Sequence, residues 1–330
     1  MLHIDVFNGD ADGICALHQL RMETPRPDAR LVTGVKREIN LLAKIRDARE
    51  AVITVLDISL DRNRVDLETL LAEQNSVCYI DHHFSGILPE AENLETHIDL
   101  SPQTCTSLIV DSLLGGKYRG WAAVGAFGDN LDEMAAAAAE KAGHDRDTTG
   151  KLRETGVLLN YNGYGASLED LYYHPAELYR EVSRHLDPLD FHARSEAMKT
   201  LREGYGYDIS QASKFEPLRE NEHGRIYQFP AKSWARRVSG VHSNMLAREK
   251  PDLAHALIIK NNDGTFRISV RAPLNNRQGA DELCRKFPTG GGRAAAAGIN
   301  SLPQDQLESF HTAFFSQFDA TGQDEAIDNV

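Results

Sequence analysis

Leu2-His3-Ile4-Asp5-Val6-Phe7-Asn8-Gly9-Asp10-Ala11-Asp12-Gly13 sets an apolar-rich run against a short acidic loop bracketed by glycines. The arrangement recurs. Asp57 follows Ala51 to Leu56, Asp81-His82-His83 follows Val77 to Ile80, and Gly128-Asp129-Asn130 follows Trp121 to Phe127. Short apolar runs bounded by polar breaks read as buried strands. Ligands of open α/β sheets gather beyond the carboxyl ends of such strands, so the four acidic clusters are expected to meet in one crevice.

Working outward, Ile14 to Arg21 is helical in period, Leu31 to Val35 strand-like and Ile39 to Arg49 amphipathic. Arg62 to Glu73 reads as a helix with Leu67, Leu70 and Leu71 on one side. This alternation predicts an α/β fold, a parallel sheet wrapped by helices. From Thr106 to about Leu201 the pattern is mostly helical, giving a first domain over 1–201. Gly204-Tyr205-Gly206-Tyr207 breaks the pattern, and 202–214 reads as a linker.

A second, smaller α/β domain is expected over 215–318. Its strands are Arg225 to Phe229, Ala254 to Ile259 and Phe266 to Val270, the last two joined by the turn Asn261-Asn262-Asp263-Gly264. Trp234 to Arg248, Gly279 to Phe287 and Leu307 to Phe318 read as helices, and 319–330 as a flexible acidic tail. Arg236, Arg237, His242 and Asn244 fall on the first of these helices and suggest a solvated basic face.

The chain of 330 residues suits two domains. Its 36 basic and 49 acidic side chains give a formal charge of −13, which argues against long nucleic acid and for a small substrate met by a local positive pocket. Cys15, Cys78, Cys105 and Cys284 show no zinc-finger spacing. No apolar run of membrane-spanning length is present, so no membrane partner is expected and a cytoplasmic location is.

Asp10 and Asp12, two apart on a loop, can point into one cavity, and Gly9 and Gly13 permit the tight turn. Taken alone, the pair also reads as the N-cap of the helix beginning at Ile14, and Asp57 as a turn residue. Adjacent histidines after a buried strand are seldom a packing requirement. Hard oxygen donors with one or two imidazoles suit Mn²⁺, or Mg²⁺, rather than a structural zinc.

These four motifs, in this order and approximate spacing, resemble those of the DHH phosphoesterase superfamily, which includes RecJ-type exonucleases, nanoRNases and cyclic-dinucleotide phosphodiesterases. The resemblance covers about residues 1–130. It implies two divalent cations, with Asp10 on one, Asp12 on the other and Asp57 bridging them. His82 and Asp129 would complete the second site. His83 would face the substrate or leaving group, and Asp81 would orient the histidine pair. Two departures stand out. Val6 occupies a position that is histidine in several branches, and Asn8 one that is aspartate in RecJ-like members, which leaves the ligand set of the first cation open.

Gly290-Gly291-Gly292-Arg293, followed by Ala294 to Ala297 and Gly298, reads as a glycine loop entering a small-residue helix, whose amides would attract an anion. Arg293 adds a guanidinium suited to phosphate, and Arg271 ends the hairpin strand nearby. The segment from about Ala254 to Asn300 resembles the DHHA1 substrate-binding domain, with Arg293 where that domain carries histidine. The combined resemblance implies a two-metal phosphoesterase that hydrolyses short oligonucleotides or dinucleotides to mononucleotides through a metal-bridging hydroxide. Phosphomonoesterase action on a nucleotide such as adenosine bisphosphate is the nearest alternative, ahead of a RecJ-like single-strand exonuclease or a non-catalytic nucleotide sensor. Oligomeric state is not legible in the sequence.

Overall fold

The computed structural model describes residues 2–319 and divides into two compact units, 1–205 and 206–330. The expected tail over 319–330 lies, apart from Asp319, outside the described residues. Among the described residues no helix is long and apolar enough to cross a membrane.

The first unit begins with β1 (His3–Phe7), α1 (Ala11–Glu23), β2 (Arg30–Val32), β3 (Val52–Leu56), α2 (Leu60–Ala72), β4 (Ser76–Asp81) and β5 (Leu94–Ile98). The strands form one sheet in the order β2-β1-β3-β4-β5, parallel throughout. Strands covered on both faces read as continuous apolar runs rather than alternating ones. Accordingly Ile4, Val6, Ile53, Val55, Val77 and Tyr79 are buried on one face, packed with Leu60, Leu67 and Leu70 of α2, and Phe7, Leu56 and Ile80 are buried on the other. Asp5, a charge inside β1, is matched by Arg21 of α1, whose guanidinium also reaches Thr54 Oγ1 at 2.9 Å.

Several elements differ from the sequence reading, beginning with the loops around the sheet. Ile39 to Arg49 contracts to a single 3₁₀ turn, Leu42–Ile45, although Leu41, Leu42 and Ile45 are buried as their pattern required. Leu94–Ile98 is an unanticipated edge strand; its half-exposed Leu-Glu-Thr-His-Ile carries too little apolar signal. Trp121 to Phe127, which as a bare apolar run reads like the strands before it, is most of a helix, α4, as the mostly helical pattern from Thr106 onward has it. Every residue from Trp121 to Gly128 is buried, and a helix apolar on all sides shows no period that separates it from a buried strand.

The helical extension comprises α3 (Thr106–Leu113), α4 (Arg119–Gly128), α5 (Asp132–Lys141), α6 (Arg146–Asn162), α7 (Pro175–Val182), α8 (Pro188–Arg194) and α9 (Glu196–Ala212). The last of these runs unbroken through Gly204-Tyr205-Gly206-Tyr207, where a linker was expected. The ring of Tyr205 stands edge-on to buried Tyr161 at 5.2 Å, and that packing outweighs the low helix propensity of the two glycines.

The second unit contains β6 (Arg219–Glu220), β7 (Gly224–Phe229), α10 (Ser233–Glu249), β8 (Ala254–Lys260), β9 (Phe266–Arg271), α11 (Ala280–Arg285), β10 (Gly290–Arg293), β11 (Ala296–Leu302) and α12 (Leu307–Phe318). Its mixed sheet has the order β10-β11-β9-β8-β7-β6. Ile226, Ile258, Ile268 and Val270 of the sheet pack with Leu283, Phe310 and Phe314 of the helices. The glycine run is a strand, and β11 follows it where a helix was expected. Gly292, at φ +141°, pairs with Ala297 so closely that a Cβ there would overlap it. The run is therefore the edge strand of a hairpin, with Gly290 N–H turned to Phe287 C=O, and no helix starts here to present its amides to an anion.

Candidate metal centre

The four acidic clusters converge beyond the carboxyl ends of β1, β3 and β4. Asn8 N–H donates to Leu56 C=O at 3.2 Å, tying the end of β1 to β3. Asp10 then caps α1, its Oδ1 accepting from Gly13 N–H at 3.1 Å. Only glycine fits at 13, because a Cβ would strike the backbone of Asn8. The capping alternative is thus true of one oxygen of Asp10, while the other faces Lys36 Nζ at 2.6 Å.

Asp12 is gripped by the start of α3. Its Oδ2 accepts from Thr106 N–H at 2.7 Å, and its Oδ1 from Ser107 N–H at 2.8 Å and from the Ser107 hydroxyl. Asp57 follows β3 with φ +59°, in the left-handed region. Such a backbone costs about 1–2 kcal/mol for a non-glycine residue and recurs where surrounding structure enforces it at functional sites. Its N–H donates to Ile80 C=O at 3.1 Å, and its Oδ1 accepts from Thr106 Oγ1 at 3.3 Å.

His82 joins the clusters. Its Nε2 lies 3.4 Å from Asp57 Oδ1 and 3.6 Å from Asp129 Oδ2. His83 Nδ1 is 2.7 Å from Asp81 Oδ1 and 3.9 Å from Asp57 Oδ1. Asp129 ends α4, its N–H donating to Gly125 C=O at 3.0 Å. Two overlapping groups result, Asp12 with His82 and Asp129, and Asp57 with His82 and His83. In each, the donor atoms lie within 4.8 Å of one another.

The electrostatics are those of a site short of positive charge. Asp10, Asp12 and Asp57 are each at most 2% exposed. Burial first, and then the charges of Asp10, Asp12, Asp129 and Asp81, push Asp57 well above the usual carboxylate range. Burial and Asp129 likewise raise Asp12. Burial also lifts Asp10, but the Lys36 ammonium and the Gly13 amide outweigh it and hold the group low. Burial would lower Lys36, yet Asp10, Tyr164 and Asp129 hold it well above the ordinary lysine value. His83 loses affinity for its proton to burial and regains more from Asp81, for a net rise. Buried Asn8 Oδ1 and Asp81 Oδ2 accept no hydrogen bond. Crowded carboxylates with imidazole at their rim are the donor set of a hard divalent cation, and the residues fit one.

Every first-unit residue singled out in the sequence is therefore in this crevice. Lys36, Thr106, Ser107 and Asn160 were missed. Lys36 Nζ also donates to Asp129 Oδ1 at 3.2 Å and Asn160 Oδ1 at 3.1 Å, and lies 5.7 Å from the ring centre of Tyr164. The signals were faint: Lys36 follows an apolar run as the acidic clusters do, and Thr106-Ser107 precedes a helix as capping residues do.

In the second unit, Arg293 of β10 and Arg271 of β9 both stand opposite Ala296 of the intervening β11. Residues aligned across strands share a face, so the two guanidinium stems rise from one side of the sheet, two strand spacings or about 10 Å apart. Arg271 Nε donates to Asn244 Oδ1 at 2.7 Å. Arg237 is buried in a two-point pair with Asp208, at 2.8 and 3.1 Å, and His242 is buried. The solvated face expected of that helix is thus largely an internal one.

No protein-family model and no curated protein matches this sequence. Solved structures do. RecJ from Thermus thermophilus in complex with Mn²⁺ is similar at 18% identity and TM-score 0.61, over 95% of this chain and 51% of that one. An exonuclease RecJ bound to manganese matches at 17% identity and TM-score 0.56, over 95% and 89% of the two chains. The pGpG-specific phosphodiesterase PggH from Vibrio cholerae matches at 14% identity and TM-score 0.53, over 97% and 100%. This chain spans about half the length of the Thermus RecJ. At these identities the likeness is one of fold: the chain has a two-domain α/β fold similar to those of RecJ and PggH.

Proposed function

We propose that the protein is a divalent-cation-dependent phosphoesterase, with Mn²⁺ the favoured ion, that hydrolyses the phosphodiester bonds of short oligonucleotides or dinucleotides to mononucleotides. One observation carries the reading. Asp12, Asp57, His82 and Asp129 turn their donor atoms into one buried, charge-crowded crevice at the strand ends. A divalent ion held there would neutralise charge on a phosphoryl group and make water a stronger nucleophile at neutral pH.

The protein's own groups supply the rest. His83, whose Nδ1 faces Asp81 Oδ1 at 2.7 Å, would donate a proton from Nε2 to a leaving oxygen. Thr106 and Ser107 keep Asp12 in one orientation. Arg271 and Arg293 offer two cations on one sheet face to the phosphates of a nucleotide. The acidic total of −13 favours a short substrate over a long strand. The solved structures support the reading through the substrates in their names, an exonuclease and a pGpG-specific phosphodiesterase.

The test is product analysis with Mn²⁺ on three substrates: a 5′-labelled dinucleotide, a nucleoside 3′,5′-bisphosphate and a long single strand. Mononucleotides from the dinucleotide at the highest kcat/KM are expected. Preferential release of inorganic phosphate from the bisphosphate would replace the proposal with a phosphomonoesterase.

A further inference from the structure

Lys36 is the one positive side chain drawn into the carboxylate cluster among the described residues, and its placement bears on how many ions the centre takes. Its ammonium has three protons and three acceptors: Asp10 Oδ2 at 2.6 Å, Asn160 Oδ1 at 3.1 Å and Asp129 Oδ1 at 3.2 Å. The backbone on which it rides is fixed on both sides. Lys36 N–H donates to Gly163 C=O at 2.9 Å, and Asn8 Nδ2 donates to Lys36 C=O at 3.4 Å. An aspartate at position 8 would have no proton to give that carbonyl.

The carboxylates are divided accordingly. Asp10 takes Gly13 N–H on Oδ1 and the charged Lys36 ammonium on Oδ2, whereas the protein hydrogen bonds on Asp12 come only from the neutral donors of Thr106 and Ser107. Asp129 is split, Oδ1 toward Lys36 and Oδ2 toward His82. The donors left to a metal are those around His82: Asp12, Asp57 and the second oxygen of Asp129. An ion on Asp10 Oδ2 would share that oxygen with an ammonium 2.6 Å from it, and two cations held on one buried carboxylate oxygen repel strongly.

We propose that the Lys36 ammonium stands in the place of one of the two cations implied by the fold. The centre then takes a single divalent ion on Asp12, Asp57, His82 and Asp129, while Lys36 and that ion share Asp129. This rests on the metal-centre reading above and narrows it. Lys36 would be a built-in cation facing the same phosphoryl group as the metal, and it would not be lost to a chelator.

Mn²⁺ titration of the full chain, read by calorimetry and by electron paramagnetic resonance, tests this. The wild type should bind one Mn²⁺ with the six-line spectrum of an isolated ion. Lys36→Ala should bind two, with an exchange-coupled spectrum, and Lys36→Arg, which keeps the charge, should return to one. Two coupled ions in the wild type, or one in a folded Lys36→Ala, would overturn the inference while leaving the metal centre standing. If Lys36→Ala does not fold, the wild-type and Lys36→Arg counts decide. No Mn²⁺ in the wild type would refute the metal centre itself, and this inference with it.

Discussion

Replacing Asp57 by asparagine should make the metal-free protein more stable and the metal-loaded protein impossible to form. Asp57 Oδ1 and Asp129 Oδ2 lie 3.4 and 3.6 Å from the same His82 nitrogen, so the two oxygens are at most about 7 Å apart. Unit charges at that separation repel by roughly 2 kcal/mol at an effective dielectric near 20. Asp10 and Asp12 add to this burden, which is why Asp57 is held so far above its ordinary value. Asparagine removes the charge and tolerates φ near +59° better than most side chains. A gain of about 2 kcal/mol corresponds to a rise of roughly 4–8 °C in Tm for a unit of this size.

The sign with pH follows from the raised pKa. The buried carboxylate destabilises the fold only above its unfolded value of 3.8, so the advantage of the variant should grow as pH rises from there and vanish in acid. Scanning calorimetry in chelator and in Mn²⁺ reads both halves. The wild type should gain Tm on Mn²⁺ addition, whereas Asp57→Asn should start higher and gain nothing. A variant melting at or below the wild type in chelator would refute the crowding argument. A variant that Mn²⁺ stabilises as well as the wild type would refute Asp57 as a ligand.

Ser107→Ala removes the hydroxyl on Asp12 Oδ1 and should weaken Mn²⁺ binding by about tenfold or more in a calorimetric titration, with activity falling in step. Arg271→Ala and Arg293→Ala should each raise KM for a dinucleotide about tenfold, the scale of one lost charge-assisted hydrogen bond, while Mn²⁺ affinity stays put; a loss of metal binding would contradict their assignment to substrate. Burial of His18 lowers its pKa from 6.5 to about 4, so its contribution is complete above pH 6.5 and is lost as pH falls toward 4. The destabilisation of His18→Gln in urea unfolding should therefore shrink over that window by at most about 3 kcal/mol.

Much of the first unit was legible because parallel strands announce themselves. Leu2 to Phe7, Val52 to Leu56 and Val77 to Ile80 carry buried runs, and the residues after them carry the chemistry. Where the reading failed, the local signal was ambiguous or overruled by packing. The all-round apolar α4 has the run of a strand by itself and is helical only in the context of the segment around it, and α9 crosses four residues of glycine and tyrosine because Tyr205 has Tyr161 to pack on. The glycine run reads as a loop because nothing local shows that Ala297 lies against Gly292. In the site, residues with a chemical motif were found, whereas Lys36, Thr106 and Ser107 act through long-range approach to Asp10, Asp12 and Asp129. A single lysine after a short edge strand has no pattern from which such contacts can be read.

The central claim is that the strand-end cluster holds a divalent cation that the protein uses to cut short phosphodiesters. Its most direct test is the turnover of a 5′-labelled dinucleotide by wild type and Asp57→Asn, each in chelator and with Mn²⁺ restored. Mononucleotide release only by the wild type, and only with the metal, is the outcome the account requires. Equal turnover by the two proteins, or turnover by the wild type that chelator does not touch, would contradict it.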